Sequence, residues 1–179
     1  MKVGLSRAAL FLSIVLMVGF VSAFAQQKQQ RRRPAARKTA KAKDTRVYLV
    51  HADVLHYDQL KNPDATILNG KVHFTHQGAR LYCDSAYFYE ASNSFEAFGH
   101  VKMYQGDTLS LLSDYAYYDG NEQMARARYN VVLKHKKTTL YTDSLDYDRL
   151  YDNAYFFEGG KMIDGKTTLT SDWGEYNTS

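Results

Sequence analysis

A unit of about 30 residues recurs along this chain, and that period restricts the fold more than any bulk property does. Its clearest copy runs from Leu140 through Thr142, Asp143, Ser144 and Leu145 to Tyr147. Earlier copies read Leu81-Tyr82-Cys83-Asp84 followed by Ala86 and Phe88, and Leu111-Leu112-Ser113-Asp114 followed by Ala116 and Tyr118. The last reads Leu169-Thr170-Ser171-Asp172 followed by Gly174 and Tyr176, and a degenerate first copy reads His51-Ala52-Asp53 followed by Leu55 and Tyr57. The aspartates Asp53, Asp84, Asp114, Asp143 and Asp172 stand 31, 30, 29 and 29 residues apart. A second mark keeps the same period: Gly70-Lys71-Val72, Gly99-His100-Val101, Asn130-Val131-Val132 and Gly160-Lys161-Met162. Two unrelated marks in one phase indicate stacked structural repeats.

From residue 47 onward the sequence alternates at period two. Val72, Phe74 and His76 fall on one side with Lys71, His73 and Thr75 on the other, and Phe95, Ala97, Gly99, Val101 and Met103 form a second stripe. Tyr, Thr and Val are frequent, and turn clusters such as Gln77-Gly78, Asp119-Gly120-Asn121 and Asp164-Gly165-Lys166 come about every 14 to 15 residues. The expected class is all-β. Within each repeat the Leu lies three residues before the Asp and the aromatic lies four after it, so the two have opposite parity. One straight strand cannot turn both inward, which requires a bend or bulge at each aspartate. Stacked bends build an antiparallel β-roll with two facing sheets, and align the aspartates along one edge, where they are expected to bond backbone amides.

A row of carboxylates also invites a catalytic or calcium-binding reading. Catalytic pairs, however, occupy single positions with contrasting environments, whereas these recur once per repeat. Asp119-Gly120-Asn121 and Asp146-Tyr147-Asp148 fall far short of a calcium loop. His73 and His76 alternate to opposite faces of a strand, so they are not expected to share a metal. No nucleophile motif, phosphate loop or dinucleotide fingerprint is present. The aspartates are read as structural corners, and no enzyme, cofactor or metal is expected.

The N-terminus is different material. Lys2 and Arg7 precede an apolar run from Ala8 to Val21, and Ala23-Phe24-Ala25 offers the small residues of a cleavage site. Residues 1–25 therefore read as a secretory signal peptide, the alternative being an uncleaved anchor. Residues 26–46 carry nine Lys or Arg against the single acid Asp44 and almost nothing to bury. They read as a disordered basic tether, or as an arm for anions. The remaining domain, 47–179, holds 12 basic against 18 acidic residues, so the formal net charge of +4 hides an acidic fold. Cys83 is the only cysteine, and Ser or Thr takes its place in other copies, which marks it as buried and inert.

Stacked repeats give a candidate interior. From the first half of the domain it takes Leu81, Phe88, Phe95, Val101, Met103, Leu111 and Tyr118. From the second half it takes Val132, Leu140, Tyr147, Phe156, Met162, Leu169 and Tyr176. A closed roll makes this stripe an ordinary core. A roll whose sheets splay apart makes it a trough for acyl chains, each buried methylene contributing about 0.8 kcal/mol.

The recurring Gly-x-Val, turn, Leu-x-Ser/Thr-Asp-x-small-x-Tyr pattern resembles the OstA-like domain of the LptA-like lipopolysaccharide-transport periplasmic proteins, over roughly residues 47 to 179. The resemblance implies an open β-jellyroll whose interior residues, those named above, receive lipid A acyl chains on the way to the outer membrane. It also implies a periplasmic location, end-to-end stacking of subunits, and inner- and outer-membrane complexes as partners through end-strand pairing. Nucleic acid is not an expected partner of an exported protein. The alternatives are a structural or adhesive envelope repeat with a dry core and, more remotely, a carbohydrate-active β-helix.

Overall fold

The computed structural model describes residues 44–60 and 62–179. The expected signal peptide 1–25 and residues 26–43 of the basic segment lie outside the described residues. Among those described there are ten strands and no helix. Two short strands, β1 (Tyr48–His51) and β2 (Val54–Tyr57), precede eight long ones. These are β3 (Thr66–His76), β4 (Ala79–Tyr89), β5 (Ser94–Gln105), β6 (Leu109–Asp119), β7 (Met124–His135), β8 (Thr138–Asp148), β9 (Asn153–Asp164) and β10 (Thr167–Asn177). All pair antiparallel in a single open sheet, each long strand against its sequence neighbours, with β1 and β2 both against β3. This is the all-β roll that the alternation and the turn spacing predict.

The turns are of two kinds. Between β3 and β4, Gln77 and Gly78 both take positive φ, 46° and 83°, the mirror-image hairpin geometry that matches strand twist. The wider turns after β6 and β8 are capped by carboxylates. Asp119 Oδ1 accepts from the Asn121 and Glu122 amides at 2.9 and 3.0 Å, and Asp148 Oδ1 accepts from Leu150 and Tyr151 at 2.9 and 3.2 Å. After β7 the turn has neither Gly nor Asn; Lys136 takes φ 51° and its amide donates to the Thr108 carbonyl at 3.0 Å.

Each long strand breaks register near its middle, at the repeated aspartates on the even strands. The odd strands pass the same corner through two successive positive-φ residues: Gly70-Lys71, Gly99-His100, Tyr129-Asn130 and Glu158-Gly159. The sheet thereby folds into two layers. The first layer holds β1, the C-terminal halves of β3, β5, β7 and β9, and the N-terminal halves of β4, β6, β8 and β10. The second holds β2 and the complementary halves.

These corners correct the second sequence mark. Asn130-Val131-Val132 and Gly160-Lys161-Met162 do not occupy the place of Gly99-His100-Val101; Tyr129-Asn130-Val131 and Glu158-Gly159-Gly160 do. Val131 is accordingly the inward residue at 1 % exposure, while Val132 is half-buried on the outer face, paired with Leu112.

The core lies between the layers. Phe74 of the first stacks on Phe95 of the second with ring centroids 4.2 Å apart. Beside the β3–β4 turn a cavity lined by Thr75, His76, Ala79, Phe74, Phe95 and Tyr118 amounts to about 10 Å³, no more than a single water occupies. The middle of the roll is packed, with Leu133, Leu140, Leu145 and Tyr147 at most 1 % exposed.

Candidate functional site

Register places the interior side chains in rows that cross the whole sheet. One first-layer row joins Leu49, Phe74, Leu81, Met103 and Leu111, and continues through Leu133, Leu140, Met162 and Leu169. Its nine strands, at about 4.8 Å spacing, make an apolar strip of roughly 38 Å. Facing it, a second-layer row runs Phe88, Phe95, Tyr118, Ala125, Tyr147, Ala154 and Tyr176. Nearer the corner small residues dominate, with Ala86, Ala97, Ala116 and Ala127 aligned before Leu145 and Phe156. Small side chains there let the two layers converge, while the aromatic row holds them apart farther out.

The predicted interior residues divide accordingly. Leu81, Phe95, Val101, Met103, Leu111, Tyr118, Leu140, Tyr147 and Phe156 are buried, and Phe88, Met162 and Tyr176 are half-buried against the core. Val132 points outward, as above. Leu169 keeps its place in the row but is 59 % exposed, because no second-layer strand lies over it among the described residues. Sequence reasoning passed over Phe74, Val131, Leu133 and Leu145, all at most 1 % exposed; for the first three the period-two count from Val72 or from the true corner identifies them.

The long edge opposite the corners is a seam where the ends of the two layers meet, and polar side chains close it. His76 at the end of β3 accepts the Tyr118 hydroxyl of β6 at Nδ1, 2.6 Å away. Gln105 at the end of β5 accepts from Arg149 Nε at 2.8 Å and donates to Asp152 Oδ1 at 3.1 Å. His135 at the end of β7 meets the Tyr176 hydroxyl of β10 at 3.0 Å. Each bond spans about three strands, so the layers are staggered. The stagger leaves the first-layer halves of β9 and β10 uncovered at one end, and β2, with Val54, Leu55 and Tyr57 all exposed, at the other. Among the described residues β10 pairs only with β9, and β1 and β2 only with β3, so both ends carry unpaired strand edges.

The chain enters across this seam. The Thr45 carbonyl accepts from His76 Nε2 at 3.0 Å and from Asn93 Nδ2 at 2.8 Å, and the Val47 amide donates to Asn93 Oδ1 at 2.7 Å. Because His76 Nδ1 accepts, its Nε2 carries the proton. Burial raises the Tyr118 hydroxyl pKa, against the opposing pull of the Arg149 charge, and burial likewise raises Tyr147.

At the outer corner all five repeated aspartates are exposed. Their partners differ from those expected. Only Asp143 accepts from a backbone amide, that of Asn130 at 3.2 Å; Asp84 meets His100 Nδ1 at 2.7 Å, Asp114 accepts from Asn130 Nδ2 at 2.6 Å, and Asp53 lies 3.1 Å from His51 Nε2. Among the described residues Asp172 has no corner partner. Gly99 shows why this place is tight: at φ 75°, a Cβ there would stand 2.5 Å from Asp84 Oδ2. Among the described residues no three His, Cys, Asp or Glu side chains gather closely enough to hold a metal ion. Cys83 is buried beside this corner as a free thiol, its pKa pushed up to about 12, chiefly by desolvation.

An open roll of stacked two-layer repeats, with an apolar strip between the layers and an unpaired strand edge at each end of the described residues, defines a β-repeat protein of the jellyroll type. The OstA-like protein family model matches residues 44–179, and the chain belongs to that family. Among solved structures it is similar to LptH, the LptA homologous periplasmic component of the conserved lipopolysaccharide transport device from Pseudomonas aeruginosa. The two are 14 % identical with a TM-score of 0.49, over 57 % of this chain and 75 % of that one. No curated protein matches the chain.

Proposed function

We propose that this protein is a periplasmic lipopolysaccharide carrier or bridge component that shields lipid A acyl chains between its two layers. The observation that carries the reading is the unbroken apolar row from Leu49 to Leu169, which is packed in the middle and runs out into solvent at β10. Acyl chains enter where the layers no longer face each other and extend the burial inward as the layers part. Membership of the OstA-like family supports the choice of lipopolysaccharide as cargo. On this reading Leu169, Met162 and Tyr176 meet the cargo first, and the buried members of the strip meet it once the roll has opened. Export by the signal-like segment 1–25 supplies the periplasmic location.

The unpaired edges supply the partners. β1 and β2 together form one strand broken at Asp53, the same plan as β10 broken at Asp172, so β10 of one copy can continue both layers into β1 and β2 of another. The two edges differ in sequence, which makes the contact heterologous and open to growth or to membrane complexes that present a matching strand.

The tightly packed middle of the roll favours a second reading, a structural or adhesive envelope repeat whose core stays dry. Purification of the exported protein from a native envelope, followed by lipid extraction and a gel shift with lipopolysaccharide, separates the two. Stoichiometric lipid supports the carrier; its absence in both assays leaves the dry scaffold.

A further inference from the structure

Arg149 is at 8 % exposure, and no other Lys, Arg, Asp or Glu among the described residues is buried. Its partners are neutral. Nε donates to Gln105 Oε1 at 2.8 Å, and Nη1 donates to the Tyr118 hydroxyl and to His76 Nδ1, the latter at 3.3 Å. The guanidinium also lies over the Tyr118 ring, 5.9 Å from its centroid. None of the ion pairs among the described residues includes Arg149. The nearest acid in this network, Asp152, is reached only through Gln105.

A buried cation without a counter-ion is a costly arrangement. The seam partners Gln105, Tyr118 and His76 use Arg149 as a hydrogen-bond donor and leave its charge unmatched. The position explains that charge: Arg149 stands at the rim of the apolar strip, beside Tyr118 of the interior row. A planar guanidinium prefers a bidentate anion, above all a phosphoryl group, over neutral oxygens.

We propose that Arg149 is a phosphoryl-binding residue at the seam, which exchanges Gln105, Tyr118 and His76 for the phosphate of an amphiphile as its acyl chains enter the interior. The assignment rests on the carrier reading and deepens it. It couples cargo to opening, because the groups that hold the seam shut are those that release the guanidinium.

The test uses the exported chain with three probes: bisphosphorylated lipid A, the same lipid dephosphorylated, and inorganic phosphate. Wild type binds the bisphosphorylated lipid at least about tenfold more tightly than the dephosphorylated one, the discrimination expected of one charge-assisted pair. Arg149→Met brings that ratio close to one. Gln105→Met removes an internal competitor and raises it, a result that a purely structural role does not produce. Melting curves of both variants establish that they fold. A ratio unchanged in Arg149→Met overturns the proposal, as does a wild-type ratio of one. Stabilisation by inorganic phosphate through Arg149, with a lipid ratio of one, replaces the amphiphile by a free anion and also overturns it. Failure of wild type to bind either lipid refutes the carrier reading itself.

Discussion

Leu140 and Leu169 occupy the same interior row and differ in what lies over them, so truncating each measures where the roll is open. Leu140 is 1 % exposed between Leu133 and Met162. Leu140→Ala removes about three carbons' worth of transfer free energy, roughly 2.4 kcal/mol, and leaves a cavity adding about 1 kcal/mol. Leu169 is 59 % exposed, so the same change forfeits about 1 kcal/mol and opens no closed cavity. For a domain of this size these losses lower Tm by about 10 °C and about 3 °C. Far-UV circular dichroism melts at low protein concentration, with urea titrations alongside, give both values. Equal losses at the two positions, independent of concentration, would refute the stagger, since Leu169 would then be covered within one chain. Equal losses that appear only at high concentration would place a second copy over β10.

Three further outcomes follow from the geometry. Gly99→Ala combines a positive φ with a Cβ 2.5 Å from Asp84 Oδ2 and costs about 2 kcal/mol or more; a drop in the urea midpoint checks it, and unchanged stability would show that the corner is loose. Cys83, with its thiol pushed up to about 12, stays unlabelled by iodoacetamide at pH 8 in the folded protein and reacts once urea unfolds it; labelling at native rates contradicts its burial. Burial, then the Lys136 charge, lowers the His135 imidazole below its ordinary 6.5, and desolvation likewise lowers His73. The neutral forms are favoured in the fold, so the stability they contribute is present above about pH 6.5 and is lost as pH falls through the lower folded values. The urea midpoint therefore falls between pH 7 and pH 5, and His135→Gln flattens that fall; an identical profile in the variant disproves the assignment.

The family and the roll are legible in local pattern. Strand alternation, turn spacing and the opposite parity of Leu81 and Phe88 about Asp84 require corners and two layers, because the pleat has a period of two that no tertiary contact can alter. Most interior residues follow from the same count. Val132 does not, because Tyr129 and Asn130 make the corner turn there that Gly99 and His100 make in the preceding odd strand, and a Tyr in the place of the Gly does not announce positive φ. Leu169 was legible as inward but not as exposed. Exposure depends on the opposite layer, and the offset of that layer comes from twist accumulated over the whole stack. The seam is the extreme case: His76 finds Tyr118 42 positions away, Gln105 finds Arg149 44 away, and His135 finds Tyr176 41 away. The sequence by itself determined which side chains face inward within each straight half-strand, Val132 beside its unannounced corner excepted, since that is set by neighbours along one strand. Only the tertiary structure decided which inward residues are covered and which charge is left without a counter-ion, since both depend on chains that meet across the roll.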